Sequence, residues 1–277
     1  MIVTDLAHAA LLTAFPVGAA AVGAVVAAIR KPSPRVMSAV QHFAAGVVIA
    51  AVVGEILPDL REEARWSWAV FGFAIGVVVV LALAAWGRRI DRNAVEAPGA
   101  EPPRIGAPSV GASSSASEAP DRAEVARAVG KSALPIGLIA TVAIDLLIDG
   151  ALVGLGTTLG STQAIILTAA LTIEVLFLAL SVQGELTAAG MTPWRAAGTS
   201  AGLGLMAAVG AMGSALALSH AGPGPIAGTL AFGAAALLYL AVEELLVEAH
   251  EESETIMLTA MFFLGFFIIY GLTQLGG

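Results

Sequence analysis

The 277-residue chain contains no cysteine. A disulfide framework, a thiolate metal site and a cysteine nucleophile are therefore excluded. Charge is scarce as well, at 12% of residues, about half the roughly 25% of a soluble domain. Only 13 residues are Lys or Arg, and the net charge of −8 argues against a nucleic-acid partner. Histidine is limited to four positions. What the chain has instead is hydrophobicity: 58% of residues are apolar and the mean hydropathy is +0.89. Such a composition belongs to a multi-span protein whose first partner is the lipid bilayer. The start, Met1-Ile2-Val3-Thr4-Asp5, has no basic segment, and the apolar run after it is too long for a signal peptide, so it reads as a retained helix.

A membrane span needs about 20 apolar residues. Eight stretches qualify: Ala9–Ile29, Ser38–Leu57, Ser67–Trp86, Ser132–Leu159, Thr162–Glu185, Ala196–Ser219, Ile226–Val247 and Thr255–Leu275. Lipid offers no partner to a free backbone group, so each is expected to be a helix. Lys31-Pro32-Ser33-Pro34, Gly160-Ser161 and Gly222-Pro223-Gly224-Pro225 are short junctions. Residues 88–131 differ. They hold the low-complexity run Ala112-Ser113-Ser114-Ser115-Ala116-Ser117-Glu118-Ala119-Pro120, which cannot bury enough apolar surface to offset its ordering entropy. The expected organisation is one all-α membrane domain: three helices in residues 1–87, a disordered cytoplasmic loop over 88–131, and five helices in 132–277.

Orientation follows from the basic residues. With the N-terminus outside, Arg30, Lys31, Arg35, Arg88, Arg89, Arg92, Arg104, Arg122, Arg127, Lys131 and Arg195 all fall inside, and only Arg61 and Arg65 fall outside. Both termini are then external. Trp66 and Trp68 fit the outer interface, Trp86 and Trp194 the inner one. A weak repeat sets Phe43 to Glu55 against Phe232 to Glu244, and continues with Leu57 on Leu246, Asp59 on Glu248, Glu62 on Glu251 and Glu63 on Glu252. The second stretch runs outward and the seventh inward, so the two copies are inverted, as in many secondary transporters.

The chemistry lies in the acids that interrupt the apolar runs. Asp145 and Asp149 are four residues apart in Ala143-Ile144-Asp145-Leu146-Leu147-Ile148-Asp149-Gly150, on one face of one helix. Glu174 falls at similar depth on the next, antiparallel helix. A mid-membrane carboxylate costs roughly 2.5–3.5 kcal/mol on insertion scales, and no Lys or Arg lies at that depth. The cost is offset by a bound cation, by protonation with hydrogen bonds between helices, or by hydration. A cation site is the sharpest of these readings. Glu55 and Asp59 flank Pro58 at one end of the second stretch. Glu243, Glu244, Glu248, His250, Glu251, Glu252 and Glu254 gather at the end of the seventh. Glu55, Glu244, Glu248 and His250 are candidate residues of an ion pathway; the last acids read as a solvated helix end. His8, His42 and His220 are expected at membrane boundaries, solvated or interfacial. Gly198-Thr199-Ser200-Ala201-Gly202 has the small-xxx-small spacing of a helix-packing face, with Gly202 at a close approach.

Three stretches give the chain a resemblance to the ZIP (Zrt/Irt-like) metal transporters. His42-Phe43-Ala44-Ala45-Gly46 through Glu55-Ile56-Leu57-Pro58-Asp59 resembles the family's second helix. Tyr239-Leu240-Ala241-Val242-Glu243-Glu244-Leu245-Leu246-Val247-Glu248-Ala249-His250 resembles its seventh, with Val247 where Pro is usual. In the fourth, where the family has His-Asn-x-Pro-Glu-Gly, Asp145 falls at the His and Asp149-Gly150 at the Glu-Gly, while Leu146 and Ile148 replace the Asn and the Pro. Glu174 falls where the family has His or Gln in the fifth helix, and Leu178 replaces its second acid. The resemblance implies a 3+2+3 inverted-repeat arrangement of eight helices, a homodimer, and one central metal site of Asp145, Asp149 and Glu174 in place of a two-metal centre. Three carboxylates suit Mn²⁺, Mg²⁺ or Ca²⁺, tolerate Fe²⁺, and lack the nitrogen and sulfur ligands that zinc favours.

The function expected is passage of a divalent cation through an inner or plasma membrane, the metal being cargo and no prosthetic group being needed. The alternative is a structural or regulatory relative that has lost part of the metal site. An intramembrane aspartyl enzyme needs two Asp facing each other across a gap. Asp145 and Asp149 share one helix face and no other mid-membrane Asp exists, so no enzymatic activity is expected.

Overall fold

A computed structural model describes residues 2–62, 66–95, 136–250 and 255–276. Among these residues the chain is helical throughout, with no strand. Eight helices are long and apolar enough to cross a membrane. They are α1, Ile2–Ile29; α2 (34–62); α3, Trp66–Val95; α4, Ile136–Leu159; α5, Ser161–Ala188; α6 (193–218); α7 (223–249); and α8, Ile256–Gly276. Each expected stretch is one of them. The junctions carry the expected punctuation. Ser33 caps α2, its Oγ accepting from the Val36 N–H at 3.4 Å, with Pro34 in the first helical turn. Gly190, at φ 98°, makes the left-handed turn that ends α5 and lets α6 start at Pro193.

Three expectations change. The third helix does not stop at Trp86 but continues through Gly87, Arg88 and Arg89 to Val95. A helix satisfies its own backbone in water as well as in lipid, so loss of hydropathy need not end it. The rest of the expected loop, 96–131, lies outside the described residues, as do Glu63, Arg65, Glu251, Glu252 and Glu254. Second, Gly202 is exposed, and a Cβ there would meet nothing within 4 Å. The packed face of α6 is instead the one bearing Gly204 and Gly210. A Cβ on Gly204 would meet the Ala20 methyl, and one on Gly210 the Leu147 carbonyl of α4. Third, His42 is not at a solvated boundary: it is 3% exposed. His8 and His220 are exposed as expected, and so are all four tryptophans.

Helices pack in pairs. α1 lies along α5, α6 along α4, α2 along α8, and α7 along α3, while α1 also meets α6 and α4 meets α5. Glycines set the closeness of the pairs. A Cβ on Gly46 would strike the Phe262 carbonyl and one on Gly265 the Phe43 carbonyl, so α2 and α8 touch backbone to backbone in both directions. Gly150 and Gly210 do the same for α4 and α6, against Ala207 and Leu147. α2, α5 and α7 are the most enclosed spans, whereas α3 and α8 turn most of their surface outward, including Phe71, Val78, Phe263 and Phe267.

α2 and α7 share an irregularity that hydropathy did not reveal. In α2, Pro34–Ala51 runs into a π-helical turn, Val52–Ile56, before Leu57–Glu62 resumes the α-helix. In α7, Pro223–Tyr239 runs into Leu240–Leu245, then Leu246–Ala249. The N–H of Leu57 reaches back five residues to the Val52 carbonyl, and that of Leu246 five residues to Ala241. Pro58, which lacks an N–H, accompanies the first turn. The second forms with Val247 in the corresponding place, so proline is not what makes it. Glu55 sits in one π turn, Glu243 and Glu244 in the other.

Candidate metal centre

The central acids come together because α4 and α5 are joined by a tight turn at Gly160 and run back beside each other. Asp145 and Asp149 are one helical turn apart on α4. Glu174 comes across from the middle of α5. One carboxylate oxygen from each of the three can be chosen so that all lie within 4.8 Å of one another. Asp149 and Glu174 are 2% and 1% exposed; Asp145 is half-buried.

Polar partners are the deciding feature. Asp145 Oδ2, Asp149 Oδ2 and both oxygens of Glu174 are buried and accept no hydrogen bond from the protein. These four are the only such side-chain atoms among the described residues. The nearby hydroxyls of α5 are engaged elsewhere: Thr168 donates to the Ala164 carbonyl and Thr172 to the Thr168 carbonyl, both at 2.6 Å. No Lys or Arg is buried among the described residues. An orphaned buried carboxylate is among the costliest groups a fold can hold, and here three point at one another. An oxygen-ligated divalent ion, with bonds of roughly 2.0–2.6 Å, holds its ligand oxygens about 3–5 Å apart. The spacing of the cluster falls in that range. The donor set is all-oxygen, which favours hard ions.

The chain matches no protein-family model and no curated protein.

The pathway residues divide. Glu244, half-buried in the π turn of α7, is near enough for its charge to act on Asp145, Asp149 and Glu174 alike. It is the fourth carboxylate of the region, where the sequence alone makes it a candidate of the ion pathway and not of the central cluster. Glu55, its counterpart in the repeat, is buried at 7% exposure in the π turn of α2, and the charge that acts on it is that of Asp59. Glu248 continues α7 beyond the π turn. His250 closes that helix, its Nδ1 bonded to the Leu246 carbonyl. The His42 ring lies beside it, the two centroids 5.2 Å apart. Leu178 lines a small, mostly apolar cavity with Ala20, Leu146, Val175 and Ser200. No carboxylate lines that cavity.

Proposed function

We propose that this chain is a divergent ZIP-like transporter that carries a divalent metal cation across an inner or plasma membrane, with Asp145, Asp149 and Glu174 as the midplane site and Glu244 beside it as the next carboxylate on the path. The observation that carries the reading is a cluster of three carboxylates in which four buried oxygens accept no hydrogen bond from the protein. A cation attracts all three and removes their mutual repulsion. An oxygen-only set ranks Mn²⁺, Mg²⁺, Ca²⁺ and Fe²⁺ ahead of Zn²⁺.

Alternating access is the proposed mechanism, and the packing supports it. Exchange α1 with α6, α2 with α7, α3 with α8 and α4 with α5. The pair α1–α5 then becomes α6–α4, and α2–α8 becomes α7–α3, which are the four principal pairs of the fold. The sequence repeat that aligns Glu55 with Glu244 also aligns the bond from Leu57 to Val52 with that from Leu246 to Ala241. This is the pattern expected of a 3+2+3 inverted repeat. In this reading the two halves change places about the carboxylates, and the π turns are where α2 and α7 give.

The test is metal uptake into proteoliposomes, together with thermal stabilisation of the purified protein by Mn²⁺, Mg²⁺, Ca²⁺, Fe²⁺ and Zn²⁺. Ion-specific uptake, with stabilisation that grows with free ion concentration, is expected. If no ion stabilises the protein and none is taken up, the transport reading fails in favour of a structural or regulatory role. Orientation has its own check. The distribution of Lys and Arg puts the segment after α3 in the cytoplasm. A cysteine at Ser114, the only one in the chain, is expected to resist impermeant thiol reagents in intact cells and to react after permeabilisation. Labelling of intact cells reverses the proposed topology.

A further inference from the structure

We propose that the end of the bundle where α1 stops and α6 starts binds the headgroup of an anionic phospholipid, through Arg30, Lys31 and Arg195 with Trp194 beside them. The packing brings these residues to one level. α1 and α6 are antiparallel neighbours: Ala9 and Leu12 share a core with Ala211 and Ala215, while Ala20 shares one with Ala196. A Cβ on Gly204 would meet the Ala20 methyl, which sets the register. From Ala20 to Arg30, α1 covers roughly 15 Å along its axis, and from Gly204 back to Arg195, α6 covers roughly 13.5 Å. The basic residues of the two helices therefore lie within one helical turn of the same depth.

Charge complementarity points to an anion. The chain has 21 acids to 13 bases, yet Arg30, Lys31 and Arg195 are exposed and, among the described residues, none of them is in an ion pair. The start of α6 adds to their field. The Thr192 side chain makes no capping bond, and the first turn holds no acid. The N–H groups of Trp194 and Arg195 thus have no acceptor within the helix and point out of its end, the arrangement that suits a phosphate. Arginine adds a planar fork that matches phosphate oxygens. The surroundings make that phosphate a lipid's. Ile29 and Trp194, next to the cations, are 71% and 65% exposed, as residues at a membrane boundary are. Further along the same helices Val22, Val26 and Leu205 are exposed, and α6 is bare at Gly198 and Gly202, where a Cβ would meet nothing within 4 Å. A headgroup at the cations and an acyl chain along this apolar stretch belong to one molecule. A soluble anion would use the cations alone.

The experiment is native mass spectrometry of the full chain in detergent, titrated with phosphatidylglycerol or with phosphatidylcholine of the same acyl chains. The first phosphatidylglycerol is expected to bind at least about ten-fold more tightly than the first phosphatidylcholine, since each basic residue near a membrane surface strengthens attraction to anionic lipid about five-fold. Arg30→Gln and Arg195→Gln each narrow the preference several-fold, and the double variant closes it. All these positions are exposed, so the variants keep the fold. Arg61→Gln, exposed at the far end of α2, leaves the preference intact, and excess inorganic phosphate leaves the bound lipid in place. Equal binding of the two lipids overturns the proposal, as does a preference that survives the double variant or is lost equally in Arg61→Gln. Displacement by inorganic phosphate overturns it too, by showing a free-anion site that needs no lipid. Binding is read without metal and without a transmembrane gradient, so its failure leaves the transport reading standing, and failure of that reading leaves this site untouched.

Discussion

Glu174→Gln is expected to abolish ion-dependent stabilisation and uptake, and Asp149→Asn to do the same. Both side chains are buried, and Asp149 Oδ2 and both oxygens of Glu174 find no donor in the protein. At a free ion concentration of a hundred times Kd, binding contributes about 2.7 kcal/mol to the wild type, and that increment disappears in either variant. The sign reverses without metal. There the substitution removes one of three mutually repelling groups, so the metal-free variant melts at or above the metal-free wild type. A crossing of the two melting curves with ion concentration separates a cation site from hydrogen-bonded neutral carboxyls, which predict variants indifferent to metal. Glu55→Gln supplies the contrast: buried too, but feeling the like charge of Asp59 and not grouped with the triad, it leaves the stabilisation by ion in place. Melting and uptake, measured over a metal titration, decide among these outcomes.

Gly150→Leu is expected to destabilise the protein by about 3 kcal/mol or more, at the upper end of overpacking costs. A Cβ at Gly150 falls on the Ala207 carbonyl, a backbone atom that no rotamer change can move aside. Gly210→Leu meets Leu147 in the same interface from the other side, and a similar loss is expected. Gly202→Leu, on the exposed face of the same helix, should be neutral within about 0.5 kcal/mol. Melting in detergent compares the three. A Gly150→Leu variant as stable as the Gly202→Leu variant would show that α4 and α6 do not touch along this line.

Much of the fold was legible because hydropathy over twenty residues is a strong signal and lipid permits few answers. Asp145, Asp149 and Glu174 were legible as a group for a related reason. Spacing by four fixes a helix face, and the Gly160-Ser161 turn fixes the depth of Glu174 against it. The misses have a common cause. Gly198 and Gly202 form one small-residue stripe on α6; Gly204, Ala207 and Gly210 form another. The linear pattern ranks neither, and only the positions of α1, beside Gly204, and of α4, beside Ala207 and Gly210, select the second. His42 looked interfacial because its sequence depth is shallow, but depth along the membrane normal does not say whether lipid or α7 lies alongside. Val95 as the end of α3 was missed because charge was read as a stop, although Arg88, Arg89 and Arg92 are good helix formers. The π turns were invisible: one extra residue in a helix leaves hydropathy unchanged.

That extra residue has a consequence for how the chain can change length. In a regular helix, deleting one residue rotates everything beyond it by about 100° and shortens it by 1.5 Å. Such a loss within residues 41–47 would swing the rest of α2 off the faces it buries against α8. A π turn is an α-helical turn holding one residue more than it needs. A deletion inside 52–56 or 240–245 can therefore close the widened turn and leave both flanks in phase. Among the described residues these two turns are the points where a single-residue deletion can be absorbed, and sequences related to this one should be able to lose a residue there while keeping both flanks in register.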